Sequence, residues 1–352
     1  MADTETREEK PSASEFFFST FGFAVFQIST TVARLGVPDV LDGAPKTADE
    51  IAASLGVDAG FLARLLRAAA GVGMLRVLDD GRYDLTELGR VYRNNAAENA
   101  RRMTDLHAAK PVWQAWGALE DAIRTGKPAF DCAHGVGFYE YIKTDTRLAE
   151  IFHDAMAASS ESQLPVFVPR YDFGDAKSVV DVGGGSGLHL AAILAANEDL
   201  RGTVADTAVA LRGTAAVFEK AGVADRGTGE PSDIFKAVPS GGDVYMLKNV
   251  LLDFDDESCE VLLRNCREAM SPQGKVMVVA LPMPESPQEQ GSAAGLVSAI
   301  SDIGAMVTTT GKERTLAEYE RLFASADLAL GEVTYIESGS AFYRVIEALP
   351  AS

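Results

Sequence analysis

The sequence predicts an α/β protein in which a doubly wound C-terminal sheet domain follows a mostly helical N-terminal domain. Three observations carry this expectation. Val179, Val180 and Val182 read as a short buried strand that runs into Gly183-Gly184-Gly185-Ser186-Gly187 and then into the apolar helix Leu188 to Ala196. Downstream, the apolar strands Val244 to Leu247 and Lys275 to Leu281 alternate with helical patterns. Upstream, helical spacing dominates up to Phe167, interrupted by one hairpin signal.

The consecutive glycines serve a turn where backbone must approach something bulky or adopt positive φ. Strand, glycine turn and helix start together make a nucleotide-type site, because free N–H groups and the helix dipole point at the ligand. Leu200 to Asp206 reads as a second short strand that ends in an acid, 19 residues after Gly187. In a dinucleotide or adenosyl site such an acid accepts hydrogen bonds from ribose hydroxyls. Taken alone, Asp206 reads equally as a helix cap.

With 352 residues and 47% hydrophobic content, the chain is long enough for a large core in two domains. Met1 to Lys10 is polar and acidic and reads as a disordered tail, and nothing resembles a signal peptide or a transmembrane span. A cytoplasmic protein without a membrane partner is expected. Cys132, Cys259 and Cys266 lack metal-ligand spacing, so free thiols and no metal are expected. A net charge of −19 excludes nucleic acid as a partner, since phosphates require Lys and Arg.

In chain order, Ser14 to Leu35 carries Phe16, Phe17, Phe21, Phe23, Ile28 and Val32 at helical spacing, ended by Gly36 and Pro38. The aromatic stripe suits a partner surface or core packing. Thr47-Ala48-Asp49-Glu50 is a capping box that opens the helix Ala48 to Leu55. A second helix runs from Ala59 to Val72, and Met74 to Leu85 forms a hairpin around Asp80-Gly81. Helix, turn, helix and hairpin make a winged-helix unit. Only Arg64 and Arg67 decorate its would-be recognition helix, which excludes DNA binding and leaves dimerisation.

Residues 87 to 170 read as mostly helical, with Trp113, Phe138, Tyr139, Phe152, Met156 and Phe167 among the apolar positions. Beyond the glycine turn, Asp255 to Met270 and Leu316 to Ala324 read as helices. Leu330 to Ile336 and Phe342 to Ala348, separated by Gly339, read as an antiparallel edge pair.

Four motifs then carry a family resemblance: Asp181-Val182-Gly183-Gly184-Gly185-Ser186-Gly187, Ala221-Gly222-Val223-Ala224-Asp225-Arg226, Leu247-Lys248-Asn249-Val250-Leu251 and Gly311-Lys312-Glu313-Arg314-Thr315. From about Phe16 to Leu349 the chain resembles the S-adenosylmethionine-dependent small-molecule O-methyltransferases of the caffeate, flavonoid and polyketide type. The resemblance implies a tail over 1–13, a winged-helix homodimerisation domain over 14–100, a helical linker and substrate layer over 101–170, and a Rossmann-like cofactor domain over 171–352. It implies that Gly183, Gly184 and Gly185 line the methionine part of S-adenosylmethionine and that Asp206 holds the ribose. It places Asp233 and Ile234 beside the adenine and Lys248 at the closure of the site. It also requires a strand over Arg226 to Pro231, where two glycines and a proline argue against one.

The chain departs from the family at the acceptor end. The family's general-base histidine falls at Leu252, followed by Asp253, and a hydrocarbon is no base. The glutamate that steadies that histidine falls at Ala280, and the remaining family acid is Glu313. The candidate catalytic residues are therefore Glu313, Asp253 and His153, with Trp113 and Met156 expected to touch a flat, apolar acceptor. Of the other histidines, His107 and His134 lie in the helical layer and His189 reads as structural.

Methyl transfer survives this loss on physical grounds, because proximity contributes roughly 7–11 kcal/mol whereas general-base help is about 10²–10⁴-fold. One alternative is a recruited member that binds S-adenosylmethionine but hydroxylates, decarboxylates or cyclises its substrate, using a fixed positive charge. A further alternative is a non-catalytic binding protein.

Overall fold

The computed structural model describes residues 12–96, 100–281, 283–338 and 341–351. The tail expected at Met1 to Lys10, Pro282 and Gly339 lie outside these. The chain forms two compact units, up to Ala109 and from Lys110 onward, so the helix Ala100–His107 belongs to the first and the following helices to the second.

The first unit opens with the helix Ala13–Leu35, which Gly36 ends in the left-handed conformation before the short helix Val37–Val40. The helix Ala48–Leu55 starts on a complete capping box in which Thr47 and Glu50 hold each other's backbone N–H groups. Asp58 caps the helix Ala59–Gly71 by accepting from the N–H of Phe61 at 2.8 Å. Strands β1 (Leu75–Val77) and β2 (Tyr83–Leu85) then pair antiparallel. Val32, Leu41, Ile51, Leu62, Leu66 and Leu85 form the core. Phe16, Phe17, Phe18, Phe21 and Phe23 stay exposed. Contrary to expectation, the window Phe16–Leu35 is long and apolar enough to cross a membrane by length and composition, and these exposed phenylalanines contribute to its hydropathy.

The second unit begins with the helices Lys110–Gly117, Leu119–Thr125, Ala129–His134, Phe138–Ile142 and Thr146–Phe167. Buried Phe130 gathers Phe138 and Tyr141 edge-on, each at 5.3 Å. Seven strands follow: β3 (Ser178–Val182), β4 (Arg201–Asp206), β5 (Gly227–Pro231), β6 (Val244–Lys248), β7 (Lys275–Ala280), β8 (Leu328–Ser338) and β9 (Ala341–Pro350). Their order is β5-β4-β3-β6-β7-β9-β8, parallel except for β9, which runs antiparallel to both β7 and β8.

Side chains alternate between the two faces of this sheet. Val180, Val182, Tyr245, Leu247, Val276 and Val278 pack toward the helices Asp256–Ala269 and Leu316–Ser325. Val179, Val244, Met246, Met277 and Val279 pack toward the helix Leu188–Ala196 and Phe167. The segment Gly227–Pro231 is a strand despite its composition. It lies at the sheet edge, where Pro231 costs no ladder hydrogen bond on the open side. At Gly227 an added Cβ would come within 2.9 Å of the Phe218 ring, so the glycine admits the covering helix Thr214–Lys220. The thiols of Cys132, Cys259 and Cys266 are free.

Candidate functional site

In a doubly wound sheet the crevice opens where the strand order reverses, here between the carboxyl ends of β3 and β6. Glycine backbone builds one half of it. Asp181 is buried, and its Oδ2 has no partner among the described residues. Gly184 crosses directly over it: an added Cβ would lie 2.3 Å from that oxygen, so a larger residue there requires the Asp181 carboxylate or the loop to move. The N–H of Gly183 donates to the carbonyl of Ala205 at 2.8 Å, and the N–H of Gly185 donates to Oδ2 of Asp206 at 2.9 Å. These bonds join the turn after β3 to the end of β4.

The N–H of Ser232 donates to the Asp206 carbonyl at 2.8 Å, which brings the turn after β5 alongside. There the exposed carboxylate of Asp233 pairs with Lys236 at 2.7 Å, and that hydrogen bond holds its carboxyl below the usual range. The Ile234 carbonyl is anchored by Asn265 Nδ2 at 2.9 Å. Across the crevice, Lys248 ends β6 half-buried; burial pushes its ammonium down to about 8, against the opposing charge of Asp181. Burial likewise pushes the Asp181 carboxyl up to about 7, with Lys248 working against it. His189 is buried against Phe167, its ring centroid 4.8 Å away, and burial with the Lys248 charge pushes it down to about 3. It is a neutral packing ring.

Side chains build the other half. After Lys248 the backbone turns through left-handed Asn249 (φ 54°), whose N–H donates to the Val279 carbonyl at 2.9 Å. A single 3₁₀ turn, Leu251–Asp253, follows. Arg314, fully buried, holds that turn from both ends, donating to the carbonyls of Leu251 at 2.7 Å and Phe254 at 2.9 Å. Its guanidinium also pairs with Asp256 at 2.8 Å. Leu252 occupies the middle of this turn, so the position where the resemblance expects a base carries none.

The neighbouring acids are arranged for proton chemistry. Oδ2 of Asp253 accepts a 2.7 Å hydrogen bond from the Tyr139 hydroxyl; burial pushes this carboxyl up to about 6, with the Tyr139 bond acting the other way. Glu313 is buried, its Oε1 accepting from Ser301 Oγ at 2.8 Å and its Oε2 without a partner among the described residues. Burial first, then the charges of Asp302 and Asp253, push it up to about 7. The N–H of Glu313 donates to Asp302 Oδ1 at 2.9 Å. Among the described residues no three His, Cys, Asp or Glu side chains gather closely enough to hold a metal.

Ala280 is the buried last residue of β7, and Glu285 beyond it is taken by Arg344 at 3.2 Å and the N–H of Leu316 at 2.7 Å. His153 lies on the exposed side of Thr146–Phe167, edge-on to Phe152 at 5.5 Å, and is not among the groups gathered at Asp253. Met156, one turn on, is 38% exposed. Trp113 belongs to the helix Lys110–Gly117, which packs against Ala293–Thr308, the helix carrying Ser301 and Asp302. His134 Nε2 is 2.9 Å from the Pro111 carbonyl, and burial lowers the pKa of His107. A shallow cavity of about 250 Å³ lined by Ser178, Arg201, Asp225 and Arg226 opens at the opposite, amino-terminal edge of the sheet, away from these groups.

The family model of the O-methyltransferase domain matches residues 116–329, and that of the O-methyltransferase dimerisation domain matches 18–95. The chain belongs to the O-methyltransferase family. It is 31% identical to the phenazine O-methyltransferase of Lysobacter antibioticus over 99% of this chain and 100% of the relative. It is 33% identical to the aclacinomycin 10-hydroxylase of Streptomyces purpurascens over 76% of this chain and 72% of that one. Among solved structures it resembles an O-methyltransferase from neocarzinostatin biosynthesis, in complex with S-adenosylmethionine and 2-hydroxy-5-methyl naphthoic acid. That likeness has a TM-score of 0.77 at 31% identity, covering 93% of this chain and 96% of the other.

This O-methyltransferase family member is thus an enzyme of the S-adenosylmethionine-dependent class, of the kind found in natural-product biosynthesis. The dimerisation-domain match takes in most of the exposed phenylalanine helix and supports a homodimer. The crevice suits S-adenosylmethionine, since it combines a glycine cradle, a ribose-type acid at the end of β4 and an unpartnered buried carboxylate oxygen beneath the loop. Sequence reasoning missed Tyr139, Ser301, Asp302 and the bracing role of Arg314. Of these only Arg314 left a signal, inside the Gly311 to Thr315 motif.

Proposed function

We propose that this protein transfers a methyl group from S-adenosylmethionine to a hydroxyl of a small aromatic natural-product acceptor, as a cytoplasmic homodimer, with Asp253 receiving the acceptor's proton. When bound, S-adenosylmethionine supplies a methyl group activated by a sulfonium, together with one fixed positive charge. Gly183, Gly184 and Gly185 would hold its methionine part, Asp206 its ribose, and Asp233 and Ile234 its adenine, while Lys248 closes the crevice. Trp113 and Met156 would contact the acceptor ring.

The single observation that carries the reading is the arrangement at Asp253. It lies on the turn directly after Lys248, one of its oxygens is held by Tyr139, and burial poises it near 6. At neutral pH such a carboxyl is mostly ionised yet basic enough to take a proton. Glu313, poised near 7, is the second acid and would hydrogen-bond the acceptor from its open Oε2. His153, exposed on its helix, is left the weakest of the three candidates.

Leu252 supports a second reading, in which the cofactor is bound but a different reaction runs. The likeness to a hydroxylase fits it. Incubation with S-adenosylmethionine and phenolic or naphtholic acceptors, followed by mass spectrometry, separates the two. S-adenosylhomocysteine formed in step with a one-methylene mass gain is the expected result. Acceptor converted while S-adenosylmethionine stays intact would overturn it in favour of the second reading.

A further inference from the structure

We propose that Tyr139 is a positioning residue for this reaction: its hydroxyl holds one oxygen of the Asp253 carboxylate and leaves the other to take the acceptor's proton. The inference rests on the reading of Asp253 given above. Tyr139 comes from a distant part of the chain, 114 residues before its partner, on the helix Phe138–Ile142. Its ring lies edge-on to buried Phe138 at 5.5 Å and to Phe152 at 6.1 Å, and the residue is 37% exposed. Two neighbouring rings thus bracket the phenol that reaches Asp253.

Two devices divide the work of placing this carboxylate. Arg314 fixes the backbone of the turn through the carbonyls on either side, but touches no atom of the Asp253 side chain. Tyr139 fixes the side chain: it is the one described residue that donates to the Asp253 carboxylate. An ionised carboxylate has two acceptor oxygens, so a donor on Oδ2 leaves Oδ1 with its lone pairs intact. In the step, the acceptor's O–H bond breaks, the proton bonds to the open carboxylate oxygen, and the electron pair stays on the acceptor oxygen. A side chain left to rotate about its two torsions would present that oxygen in only part of its conformations, and small misplacements at a reacting centre are costly. Of the charged groups nearby, Glu313 is close enough for the Asp253 charge to help raise its carboxyl, Asp302 accepts from the Glu313 N–H, and Arg314 faces the carbonyls of the turn.

The experiment is the pH–rate profile of kcat/KM for wild type, Tyr139→Phe and Asp253→Asn, with a phenolic acceptor. A donor to a carboxylate favours the charged form. Removing it in Tyr139→Phe therefore moves the acid limb to higher pH and lowers kcat/KM by about tenfold, the worth of one hydrogen bond to a charged group. The ring and its packing are retained, so thermal stability stays close to wild type. Fluorotyrosine at position 139, a stronger donor, moves the limb to lower pH, and this opposite displacement serves if Tyr139→Phe does not fold. Asp253→Asn removes the limb altogether. If Asp253→Asn leaves rate and limb unchanged, the role of Asp253 is wrong. If Asp253→Asn acts while Tyr139→Phe and the fluorinated protein both keep the wild-type limb, the role of Tyr139 is wrong and that of Asp253 stands.

Discussion

The two halves of the crevice are built from different materials. On the side of β3, β4 and β5 the contacts are donated by main-chain N–H groups: Gly183 to the Ala205 carbonyl, Gly185 to the Asp206 carboxylate and Ser232 to the Asp206 carbonyl. On the side of the 3₁₀ turn they are made by side chains, namely Arg314, Tyr139 and Ser301. Main-chain contacts tolerate change in everything except the glycines that permit them, whereas side-chain contacts can be exchanged one at a time. The difference fits an acceptor half that carries Leu252 and Ala280 where the resemblance expects a histidine and a glutamate, beside a cofactor half that carries the expected glycine motif.

The largest expected effect follows from the glycine side. Gly184→Ala places a methyl 2.3 Å from Asp181 Oδ2, an oxygen without a partner among the described residues, and the buried carboxylate or the loop must move to admit it. Binding of S-adenosylhomocysteine, measured by calorimetry, should fall below detection while the first unit keeps its structure. Retained binding would mean that the cofactor half is as plastic as the acceptor half.

Next is the brace of the acceptor half. Arg314→Ala takes the guanidinium donor from three carbonyls and leaves Asp256 paired with Lys312 alone, and removing one member of a buried ion pair typically costs about 3–5 kcal/mol. Because Asp256 is 60% exposed, the lower end of that range is expected, read as a lower midpoint in urea. An unchanged midpoint would show that the turn holds its shape without Arg314. A smaller effect is expected from Leu252→His. With Asp253 already receiving the proton, the change in kcat should stay below about tenfold; a gain of about 10²–10⁴ would mean that no base operates in the native protein.

This contrast also decides what could be read from the amino-acid order. Gly183 to Gly187 and Asp206 were visible because a main-chain site advertises itself through glycines and the acid at the end of the next strand. The strand Gly227–Pro231 opposed its own propensities and was required by resemblance alone; it forms because the edge of a sheet forgives glycine and proline. The helix Ala293–Thr308 carried no reading, yet it brings Ser301 and Asp302 to Glu313. Tyr139 registered only as an apolar position in a helical stretch, since nothing local tells that its hydroxyl meets an acid 114 residues away. His153 stood out by residue type, but the face of its helix is exposed.

The last prediction concerns the charge stored in the acceptor half. Glu313 is pushed up to about 7 by burial, from an unfolded value near 4.5. The folded state therefore holds a proton that the unfolded state has released across that interval. The stability Glu313 contributes is fully present below pH 4.5 and is lost as pH rises through about 7. Glu313→Gln cannot titrate and escapes this loss. Its stability relative to wild type should rise between pH 5 and pH 8 by up to about 3 kcal/mol, the equivalent of the shift. Asp181, raised in the same direction, remains in both proteins and cancels in the comparison. Thermal melts at the two pH values measure it. Parallel curves would mean that Glu313 is ionised at no cost in the folded protein, and the acceptor half would then lack an uncharged acid to match Asp181 in the cofactor half.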